Sequence, residues 1–405
     1  MLLPTQLKNC LGAATLALAG CAPDLIIPPL DAAQDTHTTP LDSFTSDGIL
    51  PDATTDTPTQ DTPSETASGT LSLRTESPYL RFICAYPSDI SRSLIVCPRE
   101  GSRPNEIFTY NSSSTARPIM ASLREDIMDT MASNRSLANI IVPIPDSPWS
   151  IITASNGFYV INNNTSGMNH FIPFPTGFNT GGGAAVVGNS IYIATGNLDG
   201  TNYSPGSILV YPITPSSTTA SGVVGTFARS IITPNVNPTG LARWNDGTRN
   251  YLVTLCSGAF TGADRRASVF IYNTGTNSVL RTIDLGTVTA SVSGHLAISG
   301  NQLVIGTAAY SAGDGTFFVV NLQDGTIQRN TVAGDTFHSS NQILGGAGVL
   351  VDFNSARATA FSLSNPSQRT MTSLGLTNPG PSFPLDNSCM VVAGQNAGVR
   401  VCVGM

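Results

Sequence analysis

The stretch HLAISGNQLVIGT, residues 295–307, decides the fold class, because it holds two short runs of β-forming residues joined by a tight turn around Gly300. The same arrangement occurs in AAVVGNSIYIA (184–194), GLARWNDGTRNYLVTL (240–255) and QILGGAGVLVD (342–352). Each copy is followed by a further run of β-forming residues. The pattern therefore predicts an all-β domain built from small antiparallel sheets.

The copies recur at intervals that fit one four-stranded sheet each. Weaker starts at Arg81, Ala138 and Cys389 bring the number of units to seven, spaced 46 to 57 residues apart. Such spacing is typical of β-propeller blades. We therefore predict a seven-bladed β-propeller over residues 71–405, with six or eight blades left open. The last unit is short, and TLSLRT (70–75) can supply its missing strand, so that N- and C-terminal strands close the ring and remove its exposed edges.

At the level of this pattern, residues 80–405 resemble secreted bacterial propellers with YVTN-like or lactonase-like repeats. No unit contains a complete WD40 or kelch signature. In lactonase-like propellers, carboxylates and asparagines in the loops at one end of the channel hold a metal, so the resemblance implies a place where a site can be sought.

The N-terminus reads as an export signal over residues 1–20, with Lys8 followed by the apolar run LGAATLALA (11–19). This run is too short to span a bilayer. It ends in LAGC (18–21), which resembles the lipobox of bacterial lipoproteins, in which Cys21 is acylated and becomes the first residue. Family sorting rules then imply the outer membrane, because Ala22 follows the cysteine. The alternative is an ordinary secretory peptide cleaved near Ala19.

Residues 21–70 are predicted to be a disordered linker. Residues 22–70 contain eleven threonines, seven prolines and nine acidic residues, but no basic residue and one aromatic residue, Phe44. Such a composition cannot bury enough apolar surface to offset the entropy of ordering. We expect a solvated spacer that holds the propeller away from the lipid surface.

Composition excludes several function classes. The 405 residues carry a net charge of -7, with 19 basic and 26 acidic residues, so a nucleic-acid partner is not expected. Lys8 is the only lysine, which leaves none after removal of the signal and excludes Schiff-base chemistry and a phosphate-loop lysine.

The cysteines suggest two disulfides. Cys84 and Cys97 flank one predicted hairpin turn, Cys389 and Cys402 flank another, and both pairs are 13 residues apart. Because residues placed symmetrically about a turn face each other across two strands, we predict Cys84–Cys97 and Cys389–Cys402 bridges. Cross-blade pairing of the same four cysteines remains the alternative. Cys256 is left over and is expected to be a small buried residue.

No catalytic constellation emerges from the sequence, and no cofactor is expected. The loops predicted to meet at one channel mouth offer a set of polar residues: Asn237, Thr239, His295, His338, Asn341, Asp386 and Asn387. Weak metal candidates among them are His295, His338 and Asp386, but a single carboxylate is fewer than metal hydrolases usually use.

These features favour an envelope lipoprotein whose propeller is a binding or scaffold module. It would be held at the membrane through Cys21, in the periplasm or at the surface, with a protein or small-molecule ligand at one face. The alternative is a metal-dependent hydrolase of lactonase or sugar-hydrolase type, with its site at the channel mouth.

Overall fold

A computed structural model describes the propeller region of the chain. The described residues are 71–80, 88–89, 94–97, 106–109, 119–122, 138–154, 156–163, 169–196, 198–199, 202–203, 205–259, 265–290, 296–308, 315–377, 379–380, 382–394 and 398–404. Cys21, the predicted linker, Cys84 and His295 lie outside them. No helix among these residues has the length and apolar character needed to cross a membrane.

The strands form four-stranded antiparallel sheets, which we number I to VII along the chain. They are preceded by β1 (Ser72–Leu80). The first three sheets are built as follows: I from β2 (Ser88–Asp89), β3 (Leu94–Cys97), β4 (Glu106–Thr109) and β5 (Ile119–Ser122); II from β6 (Ala138–Pro143), β7 (Trp149–Ala154), β8 (Gly157–Asn162) and β9 (Asn169–Pro173); III from β10 (Thr180–Val187), β11 (Ser190–Gly196), β14 (Pro205–Pro212) and β15 (Arg229–Val236). A separate two-stranded hairpin pairs β12 (Leu198–Asp199) with β13 (Asn202–Tyr203), and the short helix α1 (Ala220–Val223) precedes β15.

The remaining sheets follow the same order. They are IV, with β16 (Pro238–Asn245), β17 (Asn250–Cys256), β18 (Arg266–Asn273) and β19 (Ser278–Thr287); V, with β20 (Ala297–Ser299), β21 (Gln302–Gly306), β22 (Thr316–Asn321) and β23 (Ile327–Thr331); VI, with β24 (His338–Leu344), β25 (Ala347–Asp352), β26 (Arg357–Ser362) and β27 (Arg369–Ser373); and VII, with β28 (Ser382–Pro384), β29 (Cys389–Ala393), β30 (Gly398–Gly404) and β1. The expected β-propeller fold is thus present. The number of blades in the complete ring stays a prediction.

The core lies between neighbouring sheets. Successive residues of a strand point to opposite faces, and in β25 Leu350 packs towards sheet V while Val349 and Val351 pack towards sheet VII. Because both of its faces are covered, β25 of sheet VI is buried along its whole length. β23, the outer strand of sheet V, is mostly exposed. The first strands of several neighbouring sheets contact each other, which places them at the centre of the arrangement.

The N-terminal strand closes the last sheet, as predicted. In β1, Leu73 pairs with Val403 of β30, and the strand forms the outer edge of sheet VII. The predicted start of this sheet at Cys389 was wrong, because β28 precedes it and supplies the first strand. β28 has only three residues and ends at Pro384, so it lacks the length and pattern by which sequence analysis finds strands.

Candidate functional site

Three ionisable side chains come together where the chain passes from sheet V into sheet VI. Asp335 lies in the connection before β24, His338 is the first residue of β24, and Asp352 ends β25 opposite His338. One ligand atom from each residue lies within 4.8 Å of the others, and all three residues are 0% exposed. We call this group, together with Arg357 at the start of β26, the Asp335 cluster.

Asp352 fastens the connection between β23 and β24 to the turn after β25. Its Oδ2 accepts the N–H groups of Thr336 and Phe337 at 2.8 and 2.7 Å, and its Oδ1 accepts the N–H of Ser355 at 2.7 Å. A carboxylate that receives three backbone hydrogen bonds has its lone pairs directed at the chain itself. The sequence folds this way because a single buried acid satisfies donors from two loops.

Asp335 completes the attachment from the other side. Its Oδ1 accepts hydrogen bonds from the Arg357 guanidinium and, at 3.2 Å, from the Ser355 hydroxyl. Burial raises the pKa of Asp335, but the neighbouring His338 imidazole and Arg357 guanidinium together outweigh burial and hold that pKa below its ordinary value. The carboxyl group is therefore charged at neutral pH despite its burial.

His338 connects this cluster to sheet V. Its Nδ1 accepts the N–H of Thr307 at 3.3 Å, and its own backbone N–H donates to the Thr307 carbonyl oxygen at 2.9 Å. The ring sits against Gly306, where a Cβ atom would lie 2.5 Å from the His338 Cβ. Only glycine permits this approach.

The hydrogen bond from Thr307 assigns the tautomer of the imidazole. A neutral imidazole carries one hydrogen and one lone pair, so a lone pair on Nδ1 leaves the hydrogen on Nε2. Nε2 lies 3.6 Å from Oδ2 of Asp335, which is longer than a hydrogen bond. Within the described part of the chain, neither of these two buried atoms has a hydrogen-bond partner.

The donor set does not fit a metal ion. A metal between the carboxylates would need the lone pair of Nε2, and moving the imidazole hydrogen to Nδ1 would set it against the Thr307 N–H. The Asp352 oxygens are used by backbone N–H groups, and the Arg357 charge already compensates Asp335. The cluster is also inaccessible to a substrate. Its geometry holds loops in place and offers no exposed group for chemistry.

A neutral cluster occupies the comparable place between sheets III and IV. There Cys256 ends β17, and Asn235 donates a hydrogen bond to the Ser268 hydroxyl at 2.9 Å. Cys256 is free and buried, as expected, and burial raises its pKa to about 11. A thiol of that kind is unreactive. The charged form in sheet VI is thus not required simply to join two sheets.

The predicted metal candidates do not assemble. His338 starts β24, while Asp386 lies in the turn after β28, where the neighbouring Asn387 carbonyl accepts the N–H of Gly345 at the far end of β24. At ~3.3 Å per residue, the two ends of that strand are about 20 Å apart. Asp386 is half exposed, and its Oδ1 accepts the N–H groups of Ser388 and Cys389 at 2.8 Å, which hold its pKa below the ordinary value. The third candidate, His295, lies outside the described residues.

Other polar residues predicted at the channel mouth bond to groups around them, within sheet IV or between sheets V and VI. Asn237 donates to the Gly258 carbonyl oxygen at 3.1 Å, and Asn341 donates to that of Val304 at 2.9 Å. Thr239 forms a short hydroxyl contact with Ser257. These side chains are buried and satisfy the backbone and side chains of adjacent loops.

Sequence analysis missed Asp335, Asp352 and Arg357. One signal was available for Asp352: folding QILGGAGVLVD about its Gly345–Gly346 turn brings Asp352 close to His338, and a register shift between His338 and Ser340 places the two residues opposite each other. Asp335 and Arg357 gave no comparable signal, because their proximity depends on how two loops pack.

One predicted disulfide is present. Cys389 and Cys402 are paired residues of β29 and β30 and are bonded to each other. The Arg400 guanidinium donates to the Cys389 Sγ at 3.5 Å. The Cys84–Cys97 prediction involves Cys84, outside the described residues, and stays a prediction.

Comparison with known proteins supports the fold. No protein-family model matches the chain, and no curated protein matches it in sequence. Among solved structures, streptogramin B lyase matches with a TM-score of 0.54 and 11% identity, covering 82% of this chain and 98% of that chain. A chain of the mitotic checkpoint complex matches at 0.53 and 11%, covering 84% and 96%. The WD40 β-propeller domain of Doa1 matches at 0.52 and 10%, covering 83% and 97%. At these identities the similarity shows the β-propeller fold alone.

Proposed function

We propose that this chain is a lipid-anchored protein of the bacterial cell envelope, whose β-propeller is a binding or scaffold module. The lipobox-like LAGC at 18–21 places the acyl chains on Cys21, and Ala22 directs the protein to the outer membrane. The predicted acidic linker, residues 21–70, then separates the propeller from the lipid. Each acyl chain adds about 0.8 kcal/mol per buried methylene, so several chains on one cysteine give stable anchoring.

The observation that carries the non-catalytic assignment is the burial of the Asp335 cluster. Among the described residues, its members Asp335, His338 and Asp352 are 0% exposed, and the two carboxylates accept hydrogen bonds from the loops that surround them. An enzyme needs such groups within reach of a substrate. The buried Asn237 and Asn341 side chains, whose amides donate to backbone carbonyl oxygens, support the same assignment.

The fold does not choose between binding and catalysis. Streptogramin B lyase is named as an enzyme, and the Doa1 domain is a WD40 propeller, so one architecture carries different functions. The resemblance to YVTN-like and lactonase-like repeats leaves the metal-dependent hydrolase as the alternative. Of the three predicted metal candidates, that alternative keeps His295, which lies outside the described residues, since His338 is buried and Asp386 lies at the other end of the sheets.

Replacement of Cys21 tests the anchor. The Cys21→Ala protein should leave the membrane fraction and lose incorporation of labelled fatty acid. Cys10→Ala is the matched control, because Cys10 lies in the signal segment and should change neither property. A Cys21→Ala protein that stays in the membrane fraction would refute the anchor.

Metal analysis of the full chain, extracted in detergent, tests the non-catalytic assignment. We expect no stoichiometric metal and no chelator-sensitive hydrolysis of simple lactones. One tightly held divalent ion per chain, together with chelator-sensitive hydrolysis, would contradict the non-catalytic assignment and support the hydrolase.

A further inference from the structure

A polar cavity lies at one end of sheet IV, between the turn that joins β16 to β17 and the turn that joins β18 to β19. The four strands of this sheet are antiparallel and follow one another in chain order, so these two turns lie at the same end. Thr274 Oγ1 donates to the Asn250 carbonyl oxygen at 3.2 Å and ties one turn to the other. The cavity has a volume of about 290 Å³ and is lined by residues 248–250 and 273–276.

Two asparagines place amide donors in the wall of this cavity. Asn273 Oδ1 accepts two backbone N–H groups of its own turn at 2.9 and 3.0 Å, and Asn250 Oδ1 accepts the Arg243 Nε–H at 2.8 Å. These bonds fix the orientation of both amides, because the oxygen of each faces a donor. Among the described residues, neither Nδ2 group has a protein acceptor. Asn273 is only 5% exposed, so packing holds its Nδ2 group in place.

The other side chains of the lining supply a positive charge and hydrogen-bond acceptors. Arg249 is exposed and is the charged residue among those that line the cavity. Thr248 and Thr274 already donate their hydroxyl hydrogens, to Asp246 Oδ1 at 2.8 Å and to the Asn250 carbonyl at 3.2 Å. Their oxygens are therefore left as acceptors. The Asp246 carboxylate is not part of the lining. The cavity thus offers donors and a positive charge together with acceptors.

We propose that this cavity binds an acidic sugar of the hexuronic acid class, an inference that rests on the proposed role of the propeller as a binding module. The sugar carboxylate would accept charge-assisted hydrogen bonds from the Arg249 guanidinium and further bonds from the two asparagine amides. Its ring hydroxyl groups would donate to the threonine oxygens. The volume is close to the lower limit of about 300 Å³ for small-molecule sites, which suits a single sugar ring. The lining contains no large apolar side chain to hold an apolar ligand.

Ligand-detected NMR, which follows saturation transferred from the full chain in detergent to a small molecule, tests the chemistry of the ligand. The probes are glucuronate and galacturonate, with glucose and acetate for comparison. We expect a uronate to bind in the millimolar range, because a single sugar ring offers few atoms for contact. Glucose and acetate should each bind about tenfold more weakly, since each carries only half of the recognised chemistry. Glucose or acetate bound as tightly as the uronates would overturn the assignment, and so would the absence of uronate binding.

Substitutions in the lining test the place of binding. Arg249→Gln removes the charge and should weaken uronate binding about tenfold. Asn273→Asp keeps the oxygen that accepts the turn N–H groups but replaces the NH₂ donor by a carboxylate oxygen, so binding should be lost. Arg329→Gln is the matched control, because Arg329 is an exposed arginine of β23 in sheet V, and it should leave binding unchanged.

Equal uronate binding by the Arg249→Gln and unaltered proteins would refute the site. If the Asn273→Asp protein does not fold, Arg249→Gln decides alone. These outcomes are separate from those of the proposed function. A chain that binds no uronate but leaves the membrane fraction on Cys21→Ala, and holds no metal, would lose this site and keep its role as an anchored module. Metal-dependent hydrolysis would contradict that role whatever the uronate result.

Discussion

The disulfide between Cys389 and Cys402 provides a quantitative test of how the last sheet is held. The two cysteines are 13 residues apart and sit on β29 and β30, next to the N-terminal strand that closes the sheet. In the chain-entropy treatment a cross-link over n residues lowers the entropy of the unfolded chain by 2.1 + 1.5R ln n cal/mol/K, which for this loop gives about 3 kcal/mol at 25 °C. Removing the bridge should therefore raise the unfolding equilibrium constant about 100-fold.

The assay is urea unfolding of the full chain in detergent, comparing the Cys389→Ser/Cys402→Ser protein with the unaltered one. We expect a lower midpoint and a slope that is equal or slightly larger, because the native surface stays the same while the unbridged unfolded chain is less compact. Cys256→Ser serves as a comparison for a cysteine that closes no loop. A double variant within about 0.5 kcal/mol of the unaltered protein would refute the reasoning, since the bridge would then add nothing beyond the pairing of the two strands.

Three further predictions concern packing and charge. Replacing Ile231, which is buried between sheets III and IV, by alanine should lower the free energy of unfolding by about 2 to 5 kcal/mol. The same replacement of its neighbour Ile232, which is 74% exposed, should lower it by less than about 1 kcal/mol. Equal losses in urea unfolding would contradict the assigned faces of β15. Gly306→Ala should lower the free energy of unfolding by about 1 to 3 kcal/mol, because the added methyl group overlaps the His338 side chain. Gly275→Ala, in an open turn, should change it by no more than about 0.5 kcal/mol. Similar melting temperatures for the two variants would refute the close contact. The pKa of Asp335 is held below its ordinary value, so the stability that its charge contributes is present above about pH 3.9 and is lost as the pH falls through the lower folded-state pKa. Asp335→Asn should therefore make the free energy of unfolding less dependent on pH between pH 5 and pH 2. Parallel curves for the two proteins would contradict this.

The repeat could be predicted because each hairpin carries its own signal. Stretches such as 184–194 and 342–352 place the turn and the strands within about a dozen residues, and the structure pairs them as expected. The closing strand could also be predicted, because the last unit lacked a strand and residues 70–75 could supply one. Such inferences need only local pairing and the requirement that free sheet edges be covered.

The candidate site could not be derived in the same way. Asp335 and Arg357 meet because the connection before β24 folds onto the turn after β25, and such contacts between loops leave no periodic pattern in the sequence. Asp386 was placed at the wrong end of its sheet for a different reason. The three-residue strand β28 was overlooked, so a turn within sheet VII was taken for the loop leading into it.

The contrast between the two buried clusters bears on how the stability of the propeller depends on pH. Cys256, Asn235 and Ser268 join sheets III and IV without any charge, so a neutral set of side chains is sufficient for that structural task. The Asp335 cluster performs the same task with two carboxylates, a guanidinium and an imidazole, at a desolvation cost that neutral groups avoid. Because the pKa of Asp335 is held below its ordinary value, this boundary has a pH-dependent stability that the neutral cluster lacks, and the acid-unfolding profile of the Asp335→Asn protein measures it.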